Sequence, residues 1–386
     1  MKNLRRNILI LTVGAIFLSF GMIGQSTDAQ TKTSAKATPT PKKTSTTSSK
    51  SVKPTPKTTA KATPKATPKT TPKPSTTAKA TPKPTPKVTP KPAETPQVIV
   101  SATSARVRTN PDTASDTIQF AKLGSIFPLA GQNDKWYEIK LNGDKTGFIS
   151  KTISQPFTNA KRTEIYQKLA DKYLKQTTID FTTASQTFDF LTAAAKEIKP
   201  DKTLADFQLK RLQALAITLK KVPFGKQEQS PYKEFLKTNE KEVVYSEPAG
   251  EWYVVSSAYW DLHEKYKSTP IGEEIAWQAA QNPIPGECEG YINCYLYLLR
   301  VTDAEYLNFY PNGKYSKQAL RNVTNLLEPI AADANEKAVY TSATDTSDRA
   351  DFNRYLTELR AIVAKTPFIE KSKPLAQIKQ IAEGHR

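Results

Sequence analysis

The pattern of apolar and polar residues divides the chain into four stretches. An uncharged apolar run covers Ile8–Ile23, and residues 30–97 then contain no aromatic residue and almost no branched aliphatic one. Residues 98–154 hold short apolar stretches separated by turn residues, which predicts β-strands. Beyond Phe157 the apolar residues recur every three or four positions, which predicts helices almost throughout.

The β region, 98–154, is clearest in its second half. From Trp136 to Leu141 apolar and polar residues alternate, Asn142-Gly143-Asp144 is a turn signal, and Gly147-Phe148-Ile149 supplies the returning strand. Shorter apolar stretches precede this hairpin, so about five short strands are expected. Many short strands in so small a segment predict a small all-β barrel.

Alternation along this hairpin assigns its side chains to two faces. If the apolar residues of 137–141 point inward, Trp136, Glu138 and Lys140 point outward. An outward Trp beside charged residues is a candidate contact for a sugar or a peptide, so these three residues form the candidate ligand-binding site. Alternatively, Trp136 caps the rim of the barrel against its own neighbours.

Several motifs of the β region occur in the order found in a known domain. They are Ala105-Arg106-Val107-Arg108, Pro111, Gly124, Pro128-Leu129, Trp136-Tyr137-Glu138-Ile139 and Gly147-Phe148-Ile149. In these residues the segment resembles the bacterial SH3-like (SH3b) domain. The resemblance implies a binding module of the kind attached to envelope and cell-wall proteins, which in some relatives binds peptidoglycan.

Amphipathic stripes mark the helical region, 157–386. Ile165, Leu169 and Tyr173 form one stripe, and the stronger run Leu204–Leu219 ends before Pro223. Further helical runs are predicted at Tyr232–Val244, Glu251–Tyr266, Ile271–Ala280, Tyr291–Phe309, Ser316–Ile330, Asp348–Ala364 and Leu375–Ala382. No comparable alternating strand is apparent. The expected fold is therefore multidomain, with a small all-β SH3-like barrel followed by a mostly α helical-hairpin domain.

Two segments of the helical region look alike at an offset of 44 residues. Leu262–Tyr266 with Pro270, and Tyr306–Tyr310 with Pro311, each predict a helix, a tight turn and a second helix. The second segment, with Ala319 in its following helix, resembles the turn of tetratricopeptide-like repeats of envelope proteins, whose usual period is 34 residues. An ordinary helical bundle with two similar hairpins is the alternative.

The N-terminal apolar run has the organisation of an export signal. Lys2, Arg5 and Arg6 precede the run and Ala29 offers a cleavage position, so residues 1–29 are predicted to be a signal peptide. An uncleaved membrane anchor is the alternative, with its positive head in the cytoplasm. Either interpretation predicts an exported chain, in the periplasm, the cell envelope or the extracellular space.

Charge changes the picture because it is concentrated in one stretch. The net charge is +19, of which residues 30–97 contribute about +14, with 15 Lys and one Glu. This low-complexity Lys/Thr/Pro/Ala-rich linker lacks the apolar surface needed to offset its ordering entropy, so it is predicted to be disordered. Its charge predicts weak contact with polyanions such as wall polymers, and a plain solvated linker is the alternative. Residues 98–386 carry only about +3, so no nucleic-acid partner is predicted.

Cys288 and Cys294 are the two cysteines of the chain. In an oxidising compartment a pair this close predicts a disulfide. On one helix their side chains would lie too far apart to bond, so residues 285–290 must form a loop and a helix must start near Tyr291. Two thiols without a nearby His make a poor metal site, and no metal or cofactor is predicted.

Catalytic chemistry has few candidate residues. A Cys or Ser nucleophile would need a base, and the histidines are His263, in a helical run, and His385, in a tail expected to be frayed. A glycosidase needs only two carboxylates at the right separation, so this class of enzyme stays as an alternative. Four acidic residues lie around one loop: Glu273, Glu274, Glu287 and Glu289. The alternative interpretation is that they are solvated charges with no catalytic role. No catalytic residue is assigned.

The expected function combines these features. The chain is interpreted as an exported, envelope-associated binding or scaffold protein whose SH3-like module engages the cell wall or a protein partner. The alternative is a cell-wall hydrolase with a carboxylate-based site in the helical region. Contact with a membrane is expected only through an uncleaved N-terminal segment.

Overall fold

The structure is a computed structural model that describes residues 95–199, 202–341 and 345–385. The predicted signal peptide, 1–29, and nearly all of the predicted linker, 30–97, lie outside the described residues. The β and helical regions belong to one unit of the chain. None of the helices in the described ranges is long and apolar enough to cross a membrane.

An antiparallel sheet occupies the start of the described chain. Its seven strands are β1 Gln97–Val100, β2 Ala105–Arg108, β3 Thr117–Ala121, β4 Ile126–Gln132, β5 Trp136–Lys140, β6 Thr146–Ser150 and β7 Ser154–Phe157. They are arranged in the order β3-β2-β6-β5-β4-β1-β7. The all-β region is confirmed, and it continues past residue 154, where the sequence predicted its end.

The predicted barrel is not closed. β3 and β7 are the two ends of the strand order and do not pair with each other in the described structure. β7 pairs instead with β1 and buries Phe157, which is 2% exposed, among helical residues. The sheet therefore uses this end to pack against helices, and a closed barrel was a wrong expectation.

Strand β1 is shared by two hydrophobic cores. Val98 and Val100 pack with Ile139 and Ile149 inside the sheet. Ile99, between them in sequence, packs with residues of the helical region. Val98, Ile99 and Val100 are all fully buried. Because successive side chains of a strand point to opposite faces, this one strand joins the two cores.

Helices make up most of the remaining chain. In the described ranges they are α1 Arg162–Leu174, α2 Phe181–Glu197, α3 Lys202–Leu219, α4 Tyr232–Thr238, α5 Ser256–Tyr266, α6 Gly272–Ala280, α7 Ile292–Val301, α8 Asp303–Phe309, α9 Ser316–Asp333, α10 Thr346–Lys365 and α11 Ser372–Gly384. The predicted stripe Ile165, Leu169 and Tyr173 is the buried face of α1. Asp180 caps α2 by accepting a 2.7 Å hydrogen bond from the Thr183 amide. The mostly α character is confirmed.

A β-hairpin interrupts the helical region, which the sequence did not predict. β8 Val243–Ser246 pairs with β9 Glu251–Val254, so the expected helices Tyr232–Val244 and Glu251–Tyr266 are partly wrong. Both strands are rich in Val, Tyr and Trp, which favour strands. Gly250, at a φ of +64°, supplies the left-handed residue of the turn between them.

The expected helix Tyr291–Phe309 is two helices. α7 and α8 are separated by Thr302, whose φ of −116° and ψ of −106° are not helical. The Thr302 hydroxyl donates a 2.6 Å hydrogen bond to the Leu298 carbonyl, and the Thr302 carbonyl accepts from the Tyr306 amide. Threonine thus satisfies polar groups on both sides of the break.

The two similar segments form helical hairpins with the same turn. In α5–α6 the Thr269 amide donates to the Tyr266 carbonyl, and in α8–α9 the Gly313 amide donates to the Tyr310 carbonyl. In each hairpin the residue three positions later begins the second helix and is buried: Gly272 in one, Ser316 in the other. The similarity at an offset of 44 residues therefore extends from sequence to turn geometry.

Gly124, between β3 and β4, lies tightly against the helical region. Its φ is +79°, and an added Cβ would collide with the ring of Phe190 on α2. Gly143, in the β5–β6 turn, has a similar φ of +73° but open space around it. Substitution at Gly143 therefore adds backbone strain alone, whereas substitution at Gly124 adds both backbone strain and a steric clash with Phe190.

We predict that Gly124→Ala lowers the free energy of unfolding by about 2–4 kcal/mol, because it adds left-handed backbone strain and overpacks the contact with Phe190. Gly143→Ala is the matched control and should cost only about 1 kcal/mol, from strain alone. Urea unfolding followed by circular dichroism measures both. Equal losses in the two variants would contradict a tight sheet–helix contact at Gly124.

Candidate binding site

The three residues predicted to bind ligand lie together on β5, but Trp136 is not exposed. Its exposed fraction is 8%, Glu138 is half-buried and Lys140 is exposed. The Asn133 side-chain oxygen accepts hydrogen bonds from the Lys135 and Trp136 amides, at 2.9 and 2.8 Å, and so tightens the turn where β5 begins. The solvent-facing Trp136 was a wrong expectation, and the buried indole agrees with the alternative of packing at the rim of its own sheet.

An aromatic and charged ladder crosses the outer face of the same sheet. Phe120 on β3 is paired with Arg106 on β2, and Arg108 on β2 is paired with Phe148 on β6, which is paired in turn with Glu138. Directly paired residues lie on one face. We call these five residues, together with Lys140, the sheet face.

Phe120 is the most accessible large apolar side chain of the sheet face, with 64% of its surface exposed. In the sequence Phe120 forms a short apolar patch with Ile118 and Leu123, which gives no sign of its exposure. It is exposed because β3 is an edge strand whose outer side chains no neighbouring strand covers. Only the strand order, which a single sequence does not reveal, could have identified it.

The disulfide between Cys288 and Cys294 is present, as predicted. Cys288 lies in a loop and Cys294 in the first turn of α7, which begins at Ile292, next to the predicted Tyr291. In the described part of the chain, no group of three or more His, Cys, Asp or Glu residues is placed to hold a metal ion.

The loop that carries Cys288 is fixed to the β8–β9 hairpin. The Ser246 hydroxyl donates a 2.7 Å hydrogen bond to the Pro285 carbonyl. The side-chain amide of Asn282 donates a 2.8 Å hydrogen bond to the Val254 carbonyl. The hairpin is anchored in turn to α3 by Arg211, which donates two hydrogen bonds to the Glu242 carboxylate. Side-chain hydrogen bonds therefore connect the loop, the hairpin and α3 to one another.

A cleft of about 620 Å³ lies between these braced elements. It is lined by Gln213 on α3, Tyr253 on β9, Tyr259 on α5, Gln278 on α6 and Asn282 on the loop. Its volume falls within the range of roughly 300–1,000 Å³ typical of small-ligand sites. The sequence did not predict this cleft, because the hairpin that forms one of its walls was predicted to be helical.

Neither histidine is accessible for catalysis. His263 is 1% exposed and its Nε2 lies 2.9 Å from the Tyr310 hydroxyl. His385 is fully buried, its carbonyl accepts a hydrogen bond from Arg349, and its ring meets Phe352 edge-on at 6.3 Å. The frayed tail was therefore a wrong expectation.

The four carboxylates of the glycosidase alternative are not gathered in one place. Glu273 and Glu274 begin α6, whereas Glu287 and Glu289 are exposed beyond its C-terminal end. Most of α6, whose nine residues span roughly 12 Å, lies between the two pairs in the chain. Glu273 accepts hydrogen bonds from the Tyr306 hydroxyl and the Lys314 amide, so it contributes to the α8–α9 turn.

The candidate surfaces are therefore the sheet face and the amide-lined cleft. Comparison of the chain with protein-family models, curated proteins and solved structures finds no match. Function is accordingly inferred from the contacts, burial and charge of the side chains themselves.

Burial lowers the pKa of both His263 and His385. The folded state therefore favours neutral histidine, while the unfolded chain takes up protons near pH 6.5. We predict that the free energy of unfolding is highest above about pH 6.5 and falls as the pH drops from there towards the lower folded pKa values. Urea titrations from pH 8 to pH 5 measure this. His385→Leu should show a smaller fall, and an unchanged pH profile in that variant would contradict the prediction.

We also predict that the native chain resists alkylation until it is reduced, because both thiols are joined in the disulfide. Mass spectrometry should show two added groups only after reduction. Reduction should lower the free energy of unfolding by about 2–2.5 kcal/mol, since the closed loop is short. Ready alkylation of the unreduced folded chain would contradict the bond.

Proposed function

We propose that the chain is an exported, envelope-associated binding protein whose SH3-like β region engages a cell-wall polymer through the sheet face. The helical region serves as the scaffold that carries this face. The proposal gives the chain a non-enzymatic role, in keeping with two buried histidines and with a Glu273 carboxylate that is engaged in the α8–α9 turn.

Phe120 is the observation that carries this proposal. An aromatic side chain left 64% exposed on an edge strand gains free energy when a partner covers it, on the order of 1–3 kcal/mol for full burial. Arg106 lies directly beside it. Aromatic and Arg side chains are the types that dominate binding energy at interfaces. The two together therefore suit a ligand with both apolar and anionic parts.

The charges of the sheet face point to wall polymer as the ligand. Arg106 is exposed and can bind a carboxylate in bidentate geometry, Arg108 adds positive charge while its Nη1 donates to the Ser115 carbonyl, and Glu138 can accept from an amine or an amide. Phe120 and Phe148 offer rings against which sugars or peptide side chains can pack. Peptide-crosslinked glycans carry all of these groups. A protein partner is the alternative ligand for the same surface.

The compartment fits this proposal. A disulfide is typical of exported proteins, since reduced thiols prevail in the cytosol. The predicted signal peptide and the Lys-rich linker agree with export and with weak adhesion to envelope polyanions. An extended linker of this length would reach on the order of 200 Å, which allows a tethered chain to search a wide area.

We predict that Phe120→Ala reduces co-sedimentation of the full chain with purified peptidoglycan sacculi by roughly fivefold or more, as for an interface residue whose truncation costs above 1 kcal/mol. Phe224→Ala is the matched control, because Phe224 is 81% exposed at another surface. Co-sedimentation of the Phe224→Ala variant with sacculi should equal that of the wild type. Because neither side chain is buried, both variants should keep the unfolding midpoint of the wild type.

Three outcomes would contradict the proposal of a wall-polymer site. Equal binding by wild type and Phe120→Ala would remove the sheet face from the interaction. Release of soluble fragments from labelled sacculi would favour the hydrolase alternative. Capture of an envelope protein that is lost in Phe120→Ala, without binding to sacculi, would assign the sheet face to a protein partner.

A further inference from the structure

Tyr259 gives the cleft an unusual feature. The residue is 3% exposed and lines the cleft, yet no residue that the structure describes forms a hydrogen bond with its hydroxyl. Burial alone raises its pKa, in agreement with a hydroxyl that lacks a polar partner. The Tyr259 ring is buried while the residue lines the cleft, so its hydroxyl offers the cleft a hydrogen-bonding group that the protein itself does not use.

Amide side chains supply most of the other polar groups of the cleft. Gln213, Gln278, Gln281 and Asn282 all line it. No described residue forms a hydrogen bond with the side chains of Gln213 or Gln281, while Asn282 is held by its bond to the Val254 carbonyl. Each amide both donates and accepts. These side chains therefore present paired donors and acceptors that carry no charge.

The charged groups of the cleft balance. Lys220 and Glu251 are the two charged residues that line it, one of each sign, and both are exposed. A strongly anionic or cationic ligand would gain little from this arrangement. Tyr253 adds an aromatic ring, which can pack against the apolar face of a sugar. This combination of amides, a hydroxyl and an aromatic ring is suited to an uncharged, hydroxyl-rich molecule.

An extended peptide fits the cleft less well. Peptides commonly bind beside a strand by continuing its hydrogen bonds, and β9 is an edge strand. However, the Val254 carbonyl at the end of β9 is already occupied by the Asn282 side chain. The loop residues Pro283 and Pro285, which lack amide hydrogens, form part of the same wall. One backbone acceptor of β9 is therefore already taken, and the two prolines offer no backbone donors to a peptide.

We propose that the cleft between α3, the β8–β9 hairpin, α6 and the disulfide loop is a binding site for an uncharged oligosaccharide, with the Tyr259 hydroxyl and the Gln213 amide as hydrogen-bonding groups. This site is separate from the sheet face, so it holds whether or not the sheet face binds wall polymer.

The test uses the full chain and a β-1,4-linked N-acetylglucosamine tetramer, titrated by isothermal calorimetry. We expect saturable binding that is weakened roughly 3- to 10-fold in Tyr259→Phe, the loss of one hydrogen bond. Gln213→Ala should weaken binding in the same range. Without ligand, Tyr259→Phe should unfold at the same temperature as the wild type or higher, because the hydroxyl that it removes has no partner.

A control variant locates the site. Tyr297→Phe removes a hydroxyl from a half-exposed residue outside the cleft. This variant should bind the tetramer as the wild type does. The proposal is overturned by the absence of binding at millimolar tetramer, by unchanged binding in both cleft variants, or by a neutral peptide that binds the cleft when the tetramer does not.

Discussion

The placement of β1 between two cores is the constraint on which the rest of the structure depends. Ile99 faces the helices while Val98 and Val100 face the interior of the sheet, so sheet and helices cannot separate without exposing one of the two sets. Gly124 against Phe190 and the buried Phe157 reinforce the same junction. The β region is thus part of the wall of the helical core.

This junction also determines which parts of the sheet are available to a ligand. β1 and β7 are occupied by the helices, so the free end of the sheet is β3, where Phe120 is exposed beside Arg106. The cleft depends on a second set of braces, in which Arg211 fixes the hairpin to α3 and Ser246 fixes the disulfide loop to the hairpin. The two candidate surfaces therefore differ in chemistry, one charged and aromatic, the other neutral and rich in amides.

Sequence alone predicted those features that depend on local pattern. The alternation of Trp136–Leu141 and the stripe of α1 follow from the period of strand and helix, and the disulfide follows from spacing and loop residues. What failed depended on distant contacts. β8 and β9 are only four residues each, too short for periodicity to separate from a helix, and Phe120 is exposed because of strand order. For Trp136 the error was the opposite one, because the residue was expected to be exposed and is buried. Alternation assigns a side chain to a face of the sheet but does not tell whether neighbouring side chains cover it.

The distribution of charge separates two kinds of attraction within one chain. The linker carries about +14, so its proposed attraction to polyanions would be long-ranged, non-specific and screened by salt. Residues 98–386 carry about +3, so selection of a ligand there depends on short-range contacts that salt affects much less. If the linker holds the chain near an anionic polymer, it raises the local concentration of ligand at the folded surfaces without contributing to their specificity. Modest affinity at the sheet face would then suffice for stable association with the envelope.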